Sequence, residues 1–576
     1  MAREQPASLG VAPHDGLAHV QGDRLATLSH STVYGLLAAT AARCPDRPAV
    51  VFREQDLRWT WRELRAEVDA LANGLHALGL RAGERVGIWS PNRSEWLLTM
   101  FATARLGLIL VNVNPAYRLS ELEHALQISG CRAIVSAERL RTSDYLQMLR
   151  TLAPELAHAV PRALAAARLP ALQFVIRMGS ERSPGMLNFA DVLRAGAGAG
   201  ADTIAGAATD TAANCQDPIN IQFTSGTTGS PKGATLTHFN VVNNARFIAQ
   251  AMRFSEADSL CIPVPLYHCF GMVLAVLACV ATGAAMVFPG EVFDPVATLS
   301  AVAEERCTAL HGVPTMFIAA LDHPRFAEFD LSTLRTGIMA GSPCPIETMK
   351  RVVAQMHMHE VTIAYGMTET SPVSFQSSTA DTLERRVSTV GRIQPQLEAK
   401  LVDAEGRTVQ VGQTGELWVR GYAVMQGYWG DAARTAQAIE DGWMKTGDLA
   451  TLDDEGFCNI VGRVKDMLIR GGENVYPREI EEFLFRHPKV QQAQVFGVPD
   501  VKYGEEVCAW IVLKPGHTLT EQDIKDFCKD QIAHYKVPRY VRFVDELPMT
   551  VTGKAQKFAM RDRMIQELQL TPVKTA

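Results

Sequence analysis

The feature that most constrains this chain is an alternation, through its first half, of helix-length amphipathic stretches with short apolar runs. TWRELRAEVDALANGLHAL (60–78) repeats apolar residues at helical spacing, and RVGIWS (85–90) is a short β-like run. SEWLLTMFATARLG, ILVNVNP, LSELEHALQISG and CRAIVS continue the rhythm. Short apolar strands separated by helices bury both faces of a sheet, so the pattern predicts an α/β fold with substantially parallel sheets. After about residue 466 the pattern starts afresh: YPREIEEFLFRH and TEQDIKDFCKDQI are helix-like, and VQQAQVFGV, EEVCAWIVL and YVRFV are strand-like. A chain of 576 residues exceeds what one core serves. The expectation is a large N-terminal domain of layered α/β subdomains and a small α+β C-terminal domain.

Several classes are excluded early. With 47% hydrophobic residues the chain has ample material for a core, and a net charge of -6 leaves no electrostatic footprint for nucleic acid. The 11 cysteines lie singly (Cys44, Cys131, Cys215, Cys261, Cys269 and onward), which fits neither a zinc site nor a secreted disulfide scaffold and points to a reducing compartment. Residues 1–30 show no basic start followed by an apolar stretch, so a cytoplasmic location is expected. The uncharged run 270–288 approaches membrane-spanning length. Gly283 divides it, however, and no basic cluster flanks it, so a buried helix followed by a buried strand is expected, with no integral membrane association. The Gly/Ala-rich stretch 195–217 reads as a loop or linker; its G-A-G-A-G lacks both the spacing and the strand-turn-helix frame of a dinucleotide fingerprint.

The chemistry begins at TSGTTGSPKG (224–233), directly after the apolar INIQF. Glycines, hydroxyls and a lysine so close together make a flexible loop whose N–H groups, hydroxyls and ammonium can all turn toward phosphate oxygens. A P-loop NTPase needs G-x-x-x-x-G-K-[ST]; here Pro231 precedes the lysine and Gly233 follows it, so that motif is absent. Six further blocks follow in order: PLYHCFG (265–271), YGMTETSP (365–372), GWMKTGDLA (442–450), GRVKD (462–466), GGENVYPREIE (471–481) and TGK (552–554).

On these blocks, which cover most of its length, the chain resembles the adenylate-forming, AMP-binding superfamily of acyl-CoA synthetases, peptide-synthetase adenylation domains and firefly luciferase. The resemblance implies an adenylation domain over 1–461, a hinge at 462–466 with Lys465 as its pivot, and a mobile C-terminal domain over 467–576 carrying a catalytic lysine. It also implies ATP and coenzyme A as co-substrates, Mg2+ as the metal, an acyl-adenylate intermediate and pyrophosphate release. By resemblance Thr224, Ser225, Gly226, Thr227, Thr228, Gly229 and Lys232 hold the β- and γ-phosphates, and Thr368 touches the α-phosphate. Glu369, with Thr228, helps hold Mg2+, a hard ion that prefers oxygen. Tyr365 and the Gly341-Ser342-Pro343 loop sandwich adenine, with Gly366 and Met367 in the same block; Asp448 accepts from the ribose hydroxyls, and Arg463 is a second nucleotide contact. Lys554 is expected to bridge the attacking carboxylate to the α-phosphate and then to withdraw as the C-terminal domain rotates, bringing Gly471, Gly472 and Glu473 near the pantetheine of coenzyme A.

The acid is read less directly. Peptide-synthetase domains usually place an aspartate near the start of the helix after PxxF; here His268 stands there, so a substrate ammonium would lie unpaired, and His268 enters the catalytic and pocket set. Gly271 and Met272 open an apolar helix, and Val313 and Gly366 are placed in the same pocket, which suits a hydrocarbon tail. GKAQKFAMRDRM and the GGENVYPREIE block are similar to medium-chain fatty acyl-CoA synthetases of the family-member-two type, with Ala555 replacing a bulkier aliphatic after the lysine. The alternatives are an aryl-acid or other carboxylic acid CoA ligase, a fatty acyl-AMP ligase serving a carrier protein, and a non-catalytic nucleotide regulator. The set Lys232, Glu369, Asp448 and Lys554 argues against the last. A homodimer is a candidate assembly.

Overall fold

The structure is a computed structural model that describes residues 12, 13, 15–198, 214–224, 231–342, 344–470, 473–529, 531–550 and 553–570. Two large mixed sheets dominate it. One has eight strands, in the spatial order Leu187–Asn188, Phe174–Arg177, Ala133–Ser136, Arg85–Trp89, Ile109–Asn112, Pro218–Thr224, Lys232–Thr237 and Gly427–Tyr428. The first six are mutually parallel and the last two antiparallel. The other has nine strands with a parallel centre formed by Glu360–Gly366, Thr336–Ala340, Ala309–Leu310, Ser259–Cys261, Ala285–Phe288 and Pro48–Phe52. Central strands such as AIVS at 133–136 are buried at every position, as a sheet covered on both faces requires.

The helices follow the expected rhythm. Trp61–Ala77 is started by a capping box in which the Thr60 hydroxyl accepts from Glu63 N–H and the Glu63 carboxylate accepts from Thr60 N–H. Of the stretch 195–217 expected as a loop or linker, residues 195–197 instead belong to the helix Phe189–Ala197, and 199–213 lie outside the described residues. Glycine explains why. A Cβ at Gly196 would sit 1.9 Å from the Ala70 carbonyl oxygen, and one at Gly74 2.1 Å from the Val192 carbonyl, so two helices approach here only because both positions lack side chains. The uncharged run 270–288 is a buried helix, a left-handed Gly283 and the strand Ala285–Phe288, and among the described residues no helix is long and apolar enough to cross a membrane.

An antiparallel sheet, built on Leu397–Val402, Gly415–Gly421 and Trp443–Leu452 with Cys458–Arg463 paired to the last, completes the large domain. The smaller C-terminal domain has its own sheet (Glu473–Val475, Leu468–Arg470, Gly504–Leu513, Val490–Asp500 and Tyr540–Phe543) and cores of its own around Val495, Ala509 and Ile524 and around Phe496, Trp510 and Met560. The fold is thus α/β with a large N-terminal and a smaller C-terminal domain.

Candidate active site

In an open α/β sheet, ligands gather outside the carboxyl ends of the parallel strands, where loops are free to vary and backbone N–H groups point outward. Six of the residues singled out in the sequence lie at such ends. Thr224 closes Pro218–Thr224, Gly341 and Ser342 follow Thr336–Ala340, Tyr365 and Gly366 end Glu360–Gly366, and Val313 follows Ala309–Leu310. Thr224 pairs in register with Lys232, so the two ends of the phosphate-loop motif are neighbours. Ser225, Gly226, Thr227, Thr228 and Gly229 lie outside the described residues, as do Pro343, Gly471 and Gly472.

Glu369 is buried in the short turn Thr368–Thr370. Its Oε1 accepts a hydrogen bond from the Tyr428 hydroxyl at 2.9 Å and lies 3.5 Å from Thr224 Oγ1. The turn is possible because Gly366 has no side chain: a Cβ there would fall 1.7 Å from the Pro372 carbonyl, to which Met367 N–H donates at 2.9 Å. A single buried carboxylate with a hydroxyl beside it fits Mg2+, which keeps most of its shell as water and substrate phosphate and takes one or two protein carboxylates. Among the described residues no group of three or more acidic, His or Cys side chains forms a metal cage.

Asp448 occupies the centre of a second cluster. Its Oδ2 accepts from the Tyr365 hydroxyl at 2.6 Å and its Oδ1 from Arg463 Nε at 3.0 Å, the latter pairing set by the strand register Asp448↔Arg463. Burial and the adjacent carboxylate hold the Tyr365 phenol well above its ordinary range, so it stays a donor. Gly341, at φ +91, allows the strand end to turn against Val313; a Cβ would meet Val313 Cγ1 at 3.1 Å.

Lys554 comes from the smaller domain on a hairpin in which Thr550 N–H donates to the Lys554 carbonyl at 2.7 Å and Lys554 N–H to Thr550 Oγ1 at 3.0 Å. The hairpin tip rests on the large domain: a Cβ at Gly553 would come within 2.8 Å of Val313 Cγ2. Loss of hydration lowers the Lys554 ammonium below its usual range and Arg463 adds to this, while Asp448, Glu369 and Cys269 pull the other way. One cation therefore feels both carboxylate clusters at once. Lys465 is exposed in the turn after Arg463, whose start is tied to the site by Val464 N–H donating to the Gly447 carbonyl at 2.9 Å. Glu473 lies exposed on the edge strand of the smaller sheet and makes no described bond to either cluster.

The expected acyl wall is the segment Phe270–Leu277, wound as a π-helix and buried throughout. Gly271 lets it start against Pro265, where a Cβ would sit 2.3 Å from the carbonyl oxygen. His268 accepts from Phe270 N–H through Nδ1 at 3.2 Å, and burial together with the Lys554 ammonium drives its pKa down to about 3, leaving a neutral ring with its proton on Nε2. The wall is less purely apolar than the sequence suggested. The Met272 sulfur receives the amide groups of Gln222 at 3.5 Å and Asn112 at 3.7 Å, while the Cys269 thiol donates to Gln222 Oε1 at 2.9 Å. His311 ties this wall to the adenine side. Its Nδ1 accepts from Ile338 N–H at 3.1 Å, so Nε2 carries the proton and donates to the Leu274 carbonyl at 3.2 Å.

Tyr428, Gln222, Asn112 and His311 were not singled out in the sequence. Each acts through a partner far along the chain, Tyr428 and Glu369 being 59 positions apart, and no local motif announces such a pairing.

Comparison with known proteins adds a second line of argument. Residues 37–429 match the family described as AMP-binding enzyme, and residues 479–554 match the AMP-binding enzyme C-terminal domain. The chain is 46% identical over 564 residues, 97% of its own length and 91% of the other, to the medium-chain acyl-CoA ligase ACSF2, mitochondrial, of Bos taurus. Among solved structures it is similar to the anthranilate CoA ligase AuaEII in complex with anthranoyl-AMP, with a TM-score of 0.83, 27% identity and coverage of 94% of this chain and 98% of that one. It is also similar to ATP-bound MatB from Rhodopseudomonas palustris, with a TM-score of 0.79, 29% identity and coverage of 93% and 99%.

Proposed function

The chain belongs to the AMP-binding enzyme family and is an AMP-forming acyl-CoA ligase; from that premise we propose that its acid is a medium-chain fatty acid and that Lys554 serves the first of two half-reactions. In that half-reaction a carboxylate oxygen forms a bond to the α-phosphorus of ATP, and the bond to the bridging oxygen breaks, so that pyrophosphate leaves with the electron pair. In the second, the sulfur of coenzyme A bonds to the acyl carbon, AMP leaves, and the thiol proton is released.

What supports the role of Lys554 is its neighbourhood: a half-buried cation delivered by the smaller domain that feels Glu369, Asp448 and His268 of the large domain and Arg463 at the hinge. Two anions approach each other in this reaction, so a positive group between the carboxylate and the α-phosphate offsets their repulsion and aligns them. Lys232 and the phosphate loop bind the departing pyrophosphate end, and Thr368 touches the α-phosphate. Asp448 takes the ribose hydroxyls, exchanging its bonds to Tyr365 or Arg463 for them, while the Tyr365 ring and the loop at Gly341 hold adenine. His268, neutral from about pH 3 upward, brings no second positive charge beside Lys554 and gives an α-ammonium no counter-charge. Glu369 with Thr228 would hold Mg2+, which would supply neutralisation of phosphate charge.

We assign 1–461 to adenylation and 467–576 to the mobile module, with 462–466 and Lys465 as the hinge, because the turn after Arg463 joins two parts with separate cores. Gly471, Gly472 and Glu473 then take the place of Lys554 for thioester formation. The buried wall of Phe270–Leu277 suits an aliphatic chain, and the relative ACSF2 bears the name of a medium-chain ligase. We propose a cytoplasmic site, a reading that the unpaired cysteines, all 11 of them buried, support; recovery with mitochondria, where ACSF2 is named to reside, would overturn it.

The test is a panel of straight-chain, aromatic and α-amino acids, scored by acid-dependent ATP–pyrophosphate exchange and by AMP release with coenzyme A present. Fatty acids of intermediate length should dominate both readouts, and α-amino acids should give none. A panel led by aryl acids, or exchange without AMP release to coenzyme A but with transfer to a phosphopantetheinylated carrier, would overturn the substrate assignment.

A further inference from the structure

The cation and the acid expected to act on the ATP phosphates do not pair with each other. Neither Lys232 nor Glu369 forms an ion pair among the described residues, although both flank one side chain. That side chain is Tyr428. Its ring lies under the Lys232 ammonium, 5.0 Å from ring centroid to Nζ, and its hydroxyl donates to Glu369 Oε1 at 2.9 Å. The face of an aromatic ring attracts a cation and its phenol attracts an anion, so one residue satisfies both without letting them neutralise each other. Burial and the neighbouring carboxylate hold the phenol far above its ordinary range, and it remains a donor at every pH the enzyme meets.

The backbone around Tyr428 is fixed from several sides. Gly427–Tyr428 forms the last strand of the eight-stranded sheet, with Ala234 opposite Tyr428, two residues from Lys232. Tyr428 N–H donates to Thr435 Oγ1 at 2.9 Å, and Trp429 N–H to the Gly233 carbonyl at 2.7 Å. Met425 N–H donates to the backbone carbonyl of Glu369 itself at 2.9 Å. The segment is therefore bonded on one side to the strand of the lysine and on the other to the turn of the acid. Gly427 sits at φ +147 with no room for a Cβ, which would fall 2.7 Å from Thr435 Cγ2, so the segment has little freedom to slide.

We propose that Tyr428 is a positioning residue for the nucleotide phosphates: it holds the Glu369 carboxylate aimed at the metal and keeps Lys232 from collapsing onto it before MgATP arrives. The inference rests on the adenylation reading and deepens it. A free Lys–Glu pair would have to be broken by every incoming nucleotide, whereas a ring and a phenol release both groups at small cost. The chemistry of Tyr428 is also separable: Tyr428→Phe keeps the face presented to Lys232 and deletes only the bond to Glu369.

The experiment compares wild type, Tyr428→Phe, Tyr428→Leu, Glu369→Gln and the double variant Tyr428→Phe/Glu369→Gln. ATP binding is followed by calorimetry with and without Mg2+, and acid-dependent ATP–pyrophosphate exchange as a function of Mg2+ concentration. Tyr428→Phe should raise the Mg2+ concentration for half-maximal exchange by about tenfold, the loss of one hydrogen bond to a charged group. It should leave Mg2+-free ATP affinity within about twofold of wild type, a split that a merely structural role for the ring would not give. Tyr428→Leu should weaken Mg2+-free binding as well, because Lys232 is then free to pair with Glu369. In the Glu369→Gln background, Tyr428→Phe should add little. Wild-type Mg2+ dependence in Tyr428→Phe, equal losses with and without Mg2+, or full additivity with Glu369→Gln would each overturn the proposal. An absence of acid-dependent exchange in the wild type would sink the adenylation reading instead, so the two failures are told apart.

Discussion

The two carboxylate clusters and the lysine hairpin are held in different ways. Glu369 and Asp448 are fixed by strand ends, turns and buried hydroxyls within the large domain, whereas Lys554 is carried on a hairpin of the smaller domain, which meets the large one through contacts of its own. Those contacts include the Arg478 guanidinium donating to the Ile460 carbonyl, Gln491 Nε2 donating to Asp322 Oδ2 at 3.3 Å, and the Gly553 tip against Val313. A group built into a sheet terminus serves every step that uses the nucleotide. A group on a hairpin of a separate domain can serve one step and leave. The difference predicts that large-domain changes disturb both half-reactions and hairpin changes only the first.

Lys554→Ala is the strongest test of that contrast. Removing an aimed cation from a site of developing charge should lower acyl-adenylate formation on the order of 10³-fold. Transfer from preformed acyl-adenylate to coenzyme A should stay within about twofold. Equal loss in both half-reactions, measured by stopped assays of each, would erase the distinction between the two regions.

Asp448→Asn should have the next largest effect, and a different signature. It keeps the shape but removes the charge that accepts from Tyr365 and Arg463 and, by assignment, from the ribose. A charge-assisted hydrogen bond contributes about 1.5–3 kcal/mol, so kcat/KM for ATP should fall roughly 10- to 100-fold. Because AMP keeps its ribose throughout, the transfer half-reaction should weaken too. A selective loss in adenylation alone would show that Asp448 behaves like the hairpin and not like the sheet.

Arg478→Ala probes the attachment itself and should be milder. It removes a part-buried bond from the smaller domain to the Ile460 carbonyl, outside the residues assigned to ATP and the acyl group, so adenylation should slow roughly two- to tenfold with transfer unchanged. A faster transfer step would sharpen the comparison further, since the same contact would then oppose the departure of the hairpin.

Much of this division was legible before any coordinates. The helix and strand rhythm specified parallel sheets because fully buried strands such as AIVS leave little alternative, and the second start after residue 466 marked the smaller domain. Glycine-rich and acid-bearing motifs marked Thr224, Glu369 and Asp448 as candidates because each carries its proposed chemistry within a few residues, and the structure places Thr224 Oγ1 beside the Glu369 carboxylate. Tyr428, by contrast, becomes meaningful only when the third sheet's connection returns to pair with Lys232–Thr237, and Gln222 only when it meets Met272. A helix through Gly196 was missed for a related reason: glycine disfavours an isolated helix, yet here it is what allows two helices to touch.

The smallest expected effect is a displacement in pH, and it separates the regions by a single titration. In its proposed role Lys554 acts as an ammonium, and its pKa in this site is lowered by burial first and by Arg463 second. The charged form is lost as pH rises through that lowered value, so the adenylation rate should fall on the alkaline side below the ordinary lysine pKa of about 10.4. The groups facing it do not confuse the limb: His268 is neutral above about 3, Cys269 is pushed up to about 12, and the Tyr365 phenol is held well above its usual range. Arg463→Gln removes one of the two causes of the shift, so it should move the alkaline limb to higher pH. The transfer half-reaction, which in the proposed scheme does not use Lys554, should show no such limb in either protein. A common alkaline limb in both half-reactions, insensitive to Arg463→Gln, would place the titrating group in the large domain and remove the hairpin lysine from the reaction.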